Sequence, residues 1–526
     1  MNKWLLSGMA TLAFAAVSFA QTNTATVSQT GNANSASAVQ GGSGNTSTIT
    51  QGGPLGPSSQ PSSLNNKALS DQSGKNHTAV INQNGDSYFR PSKFNEASIT
   101  QSGTATSGNS ATVNQNSSGG SAYRGSNGNL AVGDGNNAIV IQDGTNTAVV
   151  NQNDVPANSS SKNLATVTQY GSNTATVTQN GGTDNWSDVK QGSSSLPATG
   201  NKAMVDQTSG ATNDAFVTQN SNSNYADVQQ GATGTTSNTV SITQGDALAV
   251  GTSSSNTAIV DQVDGTNTGN LATILQTGQN GLVNIKQDNN SGSNQAFITQ
   301  VSGTGNRVEG QQSFNSNVNL VTVTQYGNNN QVGYEQVFGA NNTLTVNQGS
   351  AATTSTNNRV QSYQKDYSDY GTITINQNVT TSGGDNIVVA EQGISGPPRS
   401  VSNVATFSQE GSFNEARLRQ TGVGSNTATV TQTGNYNKLT GPQVVLFPGG
   451  NGALQDGSMN KMTVTQASGS LATALVNNTA NLSQTGTSNT LSVNQLISSA
   501  GVGNLSTVTQ NGMMNQAIVQ QNGVTP

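Results

Sequence analysis

Cysteine is absent from this chain of 526 residues, which leaves neither a disulfide framework nor a thiolate metal site. Charge is scarce as well. Asp, Glu, Lys and Arg together make up 8% and hydrophobic residues 31%, against roughly 25% and 45–50% in an ordinary globular domain. A chain so poor in Leu, Ile and Phe cannot build the three or four conventional cores that its length alone would suggest. It does not fit the usual disordered class either, which is defined by strong net charge, because a formal charge of −6 is spread over the whole length. No basic run exists, and this argues against nucleic acid as a partner. There is one histidine, His77, with no partner pattern beside it, and it is expected in a turn or facing solvent. The carboxylates are scattered singly, so no glycosidase-type pair can be drawn. Asp184 and Asp188 flank Trp186, which reads as an outward aromatic beside gatekeeper charges rather than a sugar platform. The stretch Gly133-Asp-Gly-Asn-Asn resembles one calcium-binding turn but does not recur with the required Asp period. No enzyme, no cofactor and no metal site are expected.

Gly, Ser, Thr, Asn and Gln fill the space left by these absences, and such uncharged, amide-rich chains are prone to β-stacking. They are arranged in a unit, Asn-x-φ-x-φ-x-Gln, in which small apolar residues alternate with polar ones. Asn173-Thr-Ala175-Thr-Val177-Thr-Gln179 is one copy, and Asn426-Thr-Ala428-Thr-Val430-Thr-Gln432 repeats it letter for letter. Three further copies end in Gln83, Gln287 and Gln377 without the first Asn. The period is two, so Asn, both apolar residues and Gln share one face of a strand. If that face is buried, charges must fall on the x positions, because an unpaired buried charge is very costly. They do: Glu415, Arg417 and Arg419 alternate with Ala416 and Leu418, Lys202 and Asp206 flank Ala203 and Val205, and Arg307 and Glu309 flank Val308.

Successive copies are often joined as Gln-x4-Asn, as from Gln29 to Asn34 and from Gln325 to Asn330, with Gly or Asn in the link. Those residues tolerate the positive φ of a tight turn. Seven strand residues and four turn residues are too few for a helical crossover, so each strand must fold back across a thin core. The expected fold is all-β: a flattened parallel β-solenoid of stacked strand-turn-strand coils. About thirty-six half-units would give about eighteen coils and a rod on the order of 85 Å at the strand spacing of about 4.8 Å. Asn and Gln would sit at the corners, each amide bonded to its copy above and below. The ladder positions are Asn23, Gln29, Asn34, Gln40, Asn45, Gln51, Asn173, Gln179, Gln325, Asn330, Gln409, Asn414, Gln420, Asn426, Gln432, Gln484, Asn489, Gln495, Gln510, Asn515 and Gln521.

Residues 1–20 form a different kind of segment. Lys3, the apolar stretch from Trp4 to Val17, and Ser18-Phe19-Ala20 have the order of a secretory signal peptide, with cleavage expected after Ala20. The stretch is too short for a retained anchor, since a spanning helix needs about 20 apolar residues, and no later segment approaches that length. Residues 21–526 read as one repeat array with loop insertions at 52–64, 116–135, 192–200, 245–255, 393–402 and 441–458. All of these insertions are expected to replace turns rather than strands. The run 444–447, Val-Val-Leu-Phe, is the most apolar after residue 20 and is expected to pack on the side of the array.

Together, Gln-x4-Asn-x5-Gln, Gly in the turn and alternating small apolar residues resemble the curlin repeat, from which curli, the amyloid fibres of bacterial surfaces, are built. The resemblance covers nearly all of 21–521, although family repeats commonly open with Ser where this chain has Asn. It implies a curlin-like amyloid subunit, secreted through an outer-membrane pore and polymerised outside the cell into adhesive matrix fibres. The implied partners are the chain itself, stacking end to end, and the pore and nucleator of such a system. The alternative reading is a monomeric surface-binding β-solenoid, either an adhesin or an ice-binding protein whose outward triplets, such as Thr174-Thr176-Thr178, form flat threonine files.

Overall fold

The structure is a computed structural model. It describes residues 22–523 apart from 32, 53–62, 84–91, 94, 104–107, 117–134, 154–161, 232–236, 246–254, 264–268, 289–291, 315, 366–367, 394–399, 442, 445–450, 470–476 and 498–502. The described residues are all-β and contain no helix. The expected signal segment, 1–20, lies outside them. So do Gly133 and Asp134 of the glycine-rich turn and most of the apolar run at 444–447.

Most repeat strands pair in parallel with the next repeat strand but one, skipping the repeat strand between them. Thr24–Gln29 pairs with Thr46–Gln51 from Thr24 against Thr46 to Gln29 against Gln51. Thr46–Gln51 then pairs with Thr78–Gln83, while Ser35–Ser43, lying between them in sequence, pairs with Lys67–Lys75. Two interleaved parallel files result, and a parallel β-solenoid of stacked coils is the outcome. Parallel pairing across so short a connection is possible because the intervening residues are themselves a strand of the other file.

The residues divide into two compact units, Met1–Ser255 with Gln262–Thr266 and Asn256–Asp261 with Asn267–Pro526. In the first unit one file runs from Thr24–Gln29 through Ser110–Asn116 and Thr147–Asn153 to Tyr225–Gln230. The other runs from Ser35–Ser43 through Glu96–Ser102 and Trp186–Gln191 to Thr239–Gln244. The long strand Leu164–Thr183 belongs to both: Leu164 faces Trp186 in one file and Thr174 faces Lys202 in the other. In the second unit one file includes Leu282–Gln287, Arg307–Ser313 and Gln331–Val337 and reaches Leu505–Met513. Its companion runs from Leu271–Gln276 to Gln516–Gly523.

The period of two dictates burial. In the repeat at 173–179, Ala175, Val177 and Gln179 are fully buried while Thr174, Thr176 and Thr178 are not. The same alternation holds at Leu320–Gln325 and Thr343–Gln348. Each fully buried Val or Ile contributes about 1.5–3 kcal/mol relative to exposure, so the apolar core gains by repetition rather than by size.

One expectation needs correction. The insertion at 441–458 does not replace a turn; it splits a strand. Glu415 and Ala416 pair with Lys438 and Leu439, whereas Leu418, Arg419 and Gln420 pair with Ala453, Leu454 and Gln455. One half-unit is therefore assembled from two chain segments, and at the root of the insertion Gln443 and Val444 pair antiparallel with Gly452 and Asn451. The solenoid tolerates this because Leu439 and Ala453 still fill the two inward apolar places, both fully buried. An outward position, moreover, is not always a solvated one. Glu391 and Arg417 sit on outward positions yet are only 3% and 7% exposed. They belong to two separate sets of ion pairs: Arg417 Nε meets Glu415 Oε1, with Lys438 Nζ 3.3 Å from Glu415 Oε2, while Arg419 Nε lies 3.7 Å from Glu391 Oε2. Pairing of this kind is what makes buried charge tolerable.

Candidate functional site: the amide ladders

The repeat brings its terminal Gln side chains into continuous buried columns. Gln29 Nε2 donates to Gln51 Oε1 at 2.6 Å, Gln51 to Gln83 at 2.8 Å, and Gln152 to Gln179 and Gln179 to Gln207 at 2.8 Å each. In the companion file Gln40 donates to Gln72 at 2.9 Å and Gln72 to Gln101 at 2.8 Å. The second unit repeats the arrangement: Gln325 to Gln348, Gln409 to Gln432, Gln484 to Gln510 and Gln495 to Gln521, at 2.7–2.9 Å. In these columns Nε2 points toward the C-terminal coil and Oε1 toward the N-terminal one, so the ladder has a direction.

The same nitrogens tie the two files together. Gln179 Nε2 also donates to the carbonyls of Leu164 and Asn185, both at 3.1 Å, and Gln420 Nε2 to that of Val404 at 3.0 Å. A buried primary amide costs little only when its protons and lone pairs are met, and these are met within the array.

The Asn column works differently from expectation. In most coils the Asn amides do not bond to one another. The side-chain oxygen accepts from the backbone N–H of the next ladder Asn instead: Asn45 N to Asn23 Oδ1 at 3.0 Å, Asn213 N to Asn185 Oδ1 at 3.0 Å, Asn426 N to Asn403 Oδ1 at 3.0 Å, Asn489 N to Asn460 Oδ1 at 3.0 Å. Asn66 N to Asn34 Oδ1 is 3.2 Å. The nitrogen turns back to close the preceding turn, as from Asn489 to Thr485 O at 3.0 Å, Asn414 to Glu410 O at 3.3 Å and Asn515 to Asn511 O at 2.8 Å. Asn is one methylene shorter than Gln, and its amide reaches the local backbone before it reaches the next side chain. Asn437 Nδ2 to Asn414 Oδ1, at 2.9 Å, is one of the exceptions.

His77 is not in solvent; it replaces Asn in this column and is 1% exposed. His77 N donates to Asn45 Oδ1 at 2.9 Å, and His77 Nδ1 accepts from Asn109 N at 3.0 Å. Its Nε2 lies 3.1 Å from Ser73 O. These partners require a neutral ring with the proton on Nε2, which imitates the acceptor and donor of an Asn amide. Burial pushes the imidazole below its usual range, partly opposed by the Ser73 and Gly103 carbonyls and the Asp143 carboxylate. Gly281 and Gly371 hold the Asn place in two other coils; their N–H groups still donate to Asn256 and Asn342 Oδ1, both at 2.8 Å, but they return no side-chain acceptor.

Gln455 was missed in the sequence because the insertion placed Gln443 at the regular spacing from Asn437. The register shows Gln455 in the column, accepting from Gln420 at 2.8 Å and donating to Gln484 at 3.0 Å. The run Ala453-Leu454-Gln455, the φ-x-Gln end of a repeat unit, was the available signal.

The turns stack as the strands do. In most coils the residue before the ladder Asn takes positive φ, and in places it is not Gly, Asn or Ser: Phe413 has φ 59 and Tyr436 has φ 58. Their rings stack at 4.7 Å with 8° between planes, so ring contact between these two coils offsets the unfavourable backbone. Trp186 is 41% exposed and meets Phe216 edge-on at 4.9 Å.

On the outward face of the second unit a cleft of about 410 Å³ opens beside Asn284, Lys286, Glu309, Gly333, Glu335 and Tyr363, where Gly310 and Gly333 bring no side chain. Beneath it Tyr334 occupies an inward place, with its hydroxyl buried and unpartnered. A Cβ on Gly310 would lie 2.0 Å from that ring, so the large residue in one coil depends on the absent one in the next. Among the described residues no three His, Cys, Asp or Glu gather as they would around a metal ion.

The family profile for the curlin associated repeat matches residues 22–53 and 317–349. Both windows contain the motif and the ladder geometry described above. No curated protein matches the chain.

Proposed function

Taking it that this chain belongs to the curlin-repeat family, we propose that it is a curli-type structural subunit which assembles end to end into extracellular amyloid fibres for adhesion, aggregation and biofilm matrix. The observation that carries this reading is the direction of the glutamine ladder. Gln29 donates upward to Gln51, and at the other described extremity Gln510 and Gln521 accept from Gln484 and Gln495. A second copy laid on either extremity in the same sense meets complementary amides and a parallel strand edge, and an open edge templates addition. The inward residues of these outermost coils are correspondingly incompletely covered: Ala25 and Val27 in the first unit and Ala517 and Val519 in the second are half-buried, where Ala148 and Val150 are buried. Export by a signal at 1–20, passage through an outer-membrane pore and start-up on a nucleator complete the proposal. No helix among the described residues is long and apolar enough to cross a membrane.

The test is seeded growth. The purified chain is expected to form dye-binding fibres after a lag that its own fragmented fibres abolish. Gln510→Lys with Gln521→Lys, which place charge on the last ladder amides, should slow seeded elongation at least tenfold while leaving the circular dichroism of the soluble protein unchanged. A chain that stays monomeric for days, or a variant that elongates like the wild type, sinks the reading.

A further inference from the structure

Outward faces of the solenoid are not equivalent, and one facet of the first unit carries no charge at all. Register aligns six successive strands, Thr24–Gln29, Thr46–Gln51, Thr78–Gln83, Ser110–Asn116, Thr147–Asn153 and the 174–180 part of Leu164–Thr183. Their outward side chains form three columns that start at Thr24, Thr26 and Ser28 and end at Thr174, Thr176 and Thr178. Every place in them is Thr, Ser, Val or Asn. All are half-buried or exposed, so the facet is open to a partner. Within the third column Asn82 Nδ2 donates to Asn114 Oδ1 at 2.9 Å and Asn114 to Asn151 at 2.8 Å, which satisfies those amides and keeps them in line. The facet ends where Lys202 and Asp206 enter the next strand.

The opposite file of the same coils is built otherwise. Lys67 pairs with Glu96 at 2.7 Å and Lys190 with Asp188 at 2.7 Å, and Trp186 and Ile141 project from it, 41% and 37% exposed. Charges and large side chains on a sheet surface keep other sheets away; the charge-free facet lacks both devices.

We propose that this facet is a lateral interface on which a second copy of the chain packs face to face, pairing two assembled filaments through a dry interface. The chemistry selects the occupant. A charged partner such as nucleic acid or a lipid headgroup finds no charge to pair with among the residues of these three columns. In-register rows of small uncharged side chains, by contrast, can interdigitate with a copy of themselves, as in steric zippers. Six strands at about 4.8 Å and three outward residues about 6.7 Å apart cover roughly 600 Å² per copy. The total of about 1,200 Å² is at the lower edge of specific interfaces. One pair would associate weakly, whereas copies stacked along a filament repeat the contact and gain from multivalency. The inference rests on the end-to-end reading above, but it concerns width rather than growth.

The experiment compares the full chain with Thr48→Lys/Thr112→Lys/Thr176→Lys on the middle column and with Ser98→Lys/Thr166→Lys/Ser241→Lys on the opposite file. Mass per length of fibres is read by electron microscopy and oligomeric state of the soluble chain by sedimentation. The facet variant is expected to keep seeded elongation but to halve the mass per length, while the control variant keeps the wild-type value. Equal mass per length in the facet variant and the wild type overturns the proposal, as does a wild type that grows as single filaments, although end-to-end assembly survives both. If no fibres form, a concentration-dependent wild-type dimer abolished in the facet variant alone supports the facet, and a strict monomer overturns it. Thermal hysteresis by the unpaired wild type, lost in the facet variant, would assign the facet to ice instead.

Discussion

Replacing Gln179 by Leu tests the ladder where it is best buried. Gln179 is fully buried, accepts from Gln152 Nε2 at 2.8 Å, donates to Gln207 Oε1 at 2.8 Å and reaches the Leu164 and Asn185 carbonyls at 3.1 Å. Leucine keeps most of the volume and removes every polar atom. Gln152 suffers little, because its nitrogen also reaches the carbonyls of Asn137 and Asn163 at 3.0 and 3.1 Å. Gln207 Oε1 loses its donor, and a buried unsatisfied acceptor costs about 1–3 kcal/mol. The cross-file bonds are lost as well, each worth about 0.5–1.5 kcal/mol, against a modest gain from burying leucine. The expected loss is about 2–4 kcal/mol. Because a repeat array opens locally, hydrogen exchange read by mass spectrometry is the right assay. Protection should fall by roughly 30- to 700-fold, at about 1.4 kcal/mol per tenfold, in peptides covering 147–153, 174–191 and 198–211, and little elsewhere. Thr178→Ala, on the outward side of the same strand, should stay within about 0.5 kcal/mol. If Gln179→Leu matches Thr178→Ala, the amide column is not what holds adjacent coils.

His77 should make its neighbourhood acid-sensitive. Burial lowers its folded pKa below the unfolded value of 6.5, so the unfolded chain binds the extra proton more readily; the neutral ring's stabilisation is complete above about pH 6.5 and is lost as pH falls from there through the depressed folded value. His77→Asn should abolish that loss, read as the difference in exchange protection at 78–83 and 109–116 between pH 7 and pH 5; identical profiles in both proteins would refute it. Gly310→Ala should cost more than about 2 kcal/mol, and Tyr334→Phe should be neutral or stabilising by about 1 kcal/mol because an unpartnered buried hydroxyl disappears; both are measured by chemical denaturation, and a tolerated Gly310→Ala contradicts the packing. Phe413→Asn and Tyr436→Asn, whose replacements tolerate the left-handed backbone, should show a coupling of about 0.5–1.5 kcal/mol in a double-mutant cycle; additive effects would mean that the stacked rings are idle.

The alternation of Ala175 and Val177 with threonines was enough to read a two-faced strand, and the Gln-x4-Asn link was enough to read parallel coils, because both depend on local periods that the backbone imposes. What escaped the reading depends on neighbours distant in sequence. The part played by His77 is visible only once Asn45 and Asn109 stand on either side of it. Gln455 is hidden by a hairpin that interrupts a half-unit, since periodicity assumes an unbroken strand. Asn and Gln look alike as letters, yet one methylene sends the first to the backbone and the second to its own copy. Glu391 is buried on a face whose pattern reads only as outward, and its partner Arg419 lies in the next strand of the file.

Oriented fibres of the full chain, examined by X-ray diffraction, test the central claim most directly, namely that parallel coils and their amides continue from one molecule into the next. A sharp meridional reflection at about 4.7–4.8 Å, with an equatorial spacing near 10 Å, is the expected result. Fibres without that meridional reflection, or strands running along the fibre axis, would contradict it.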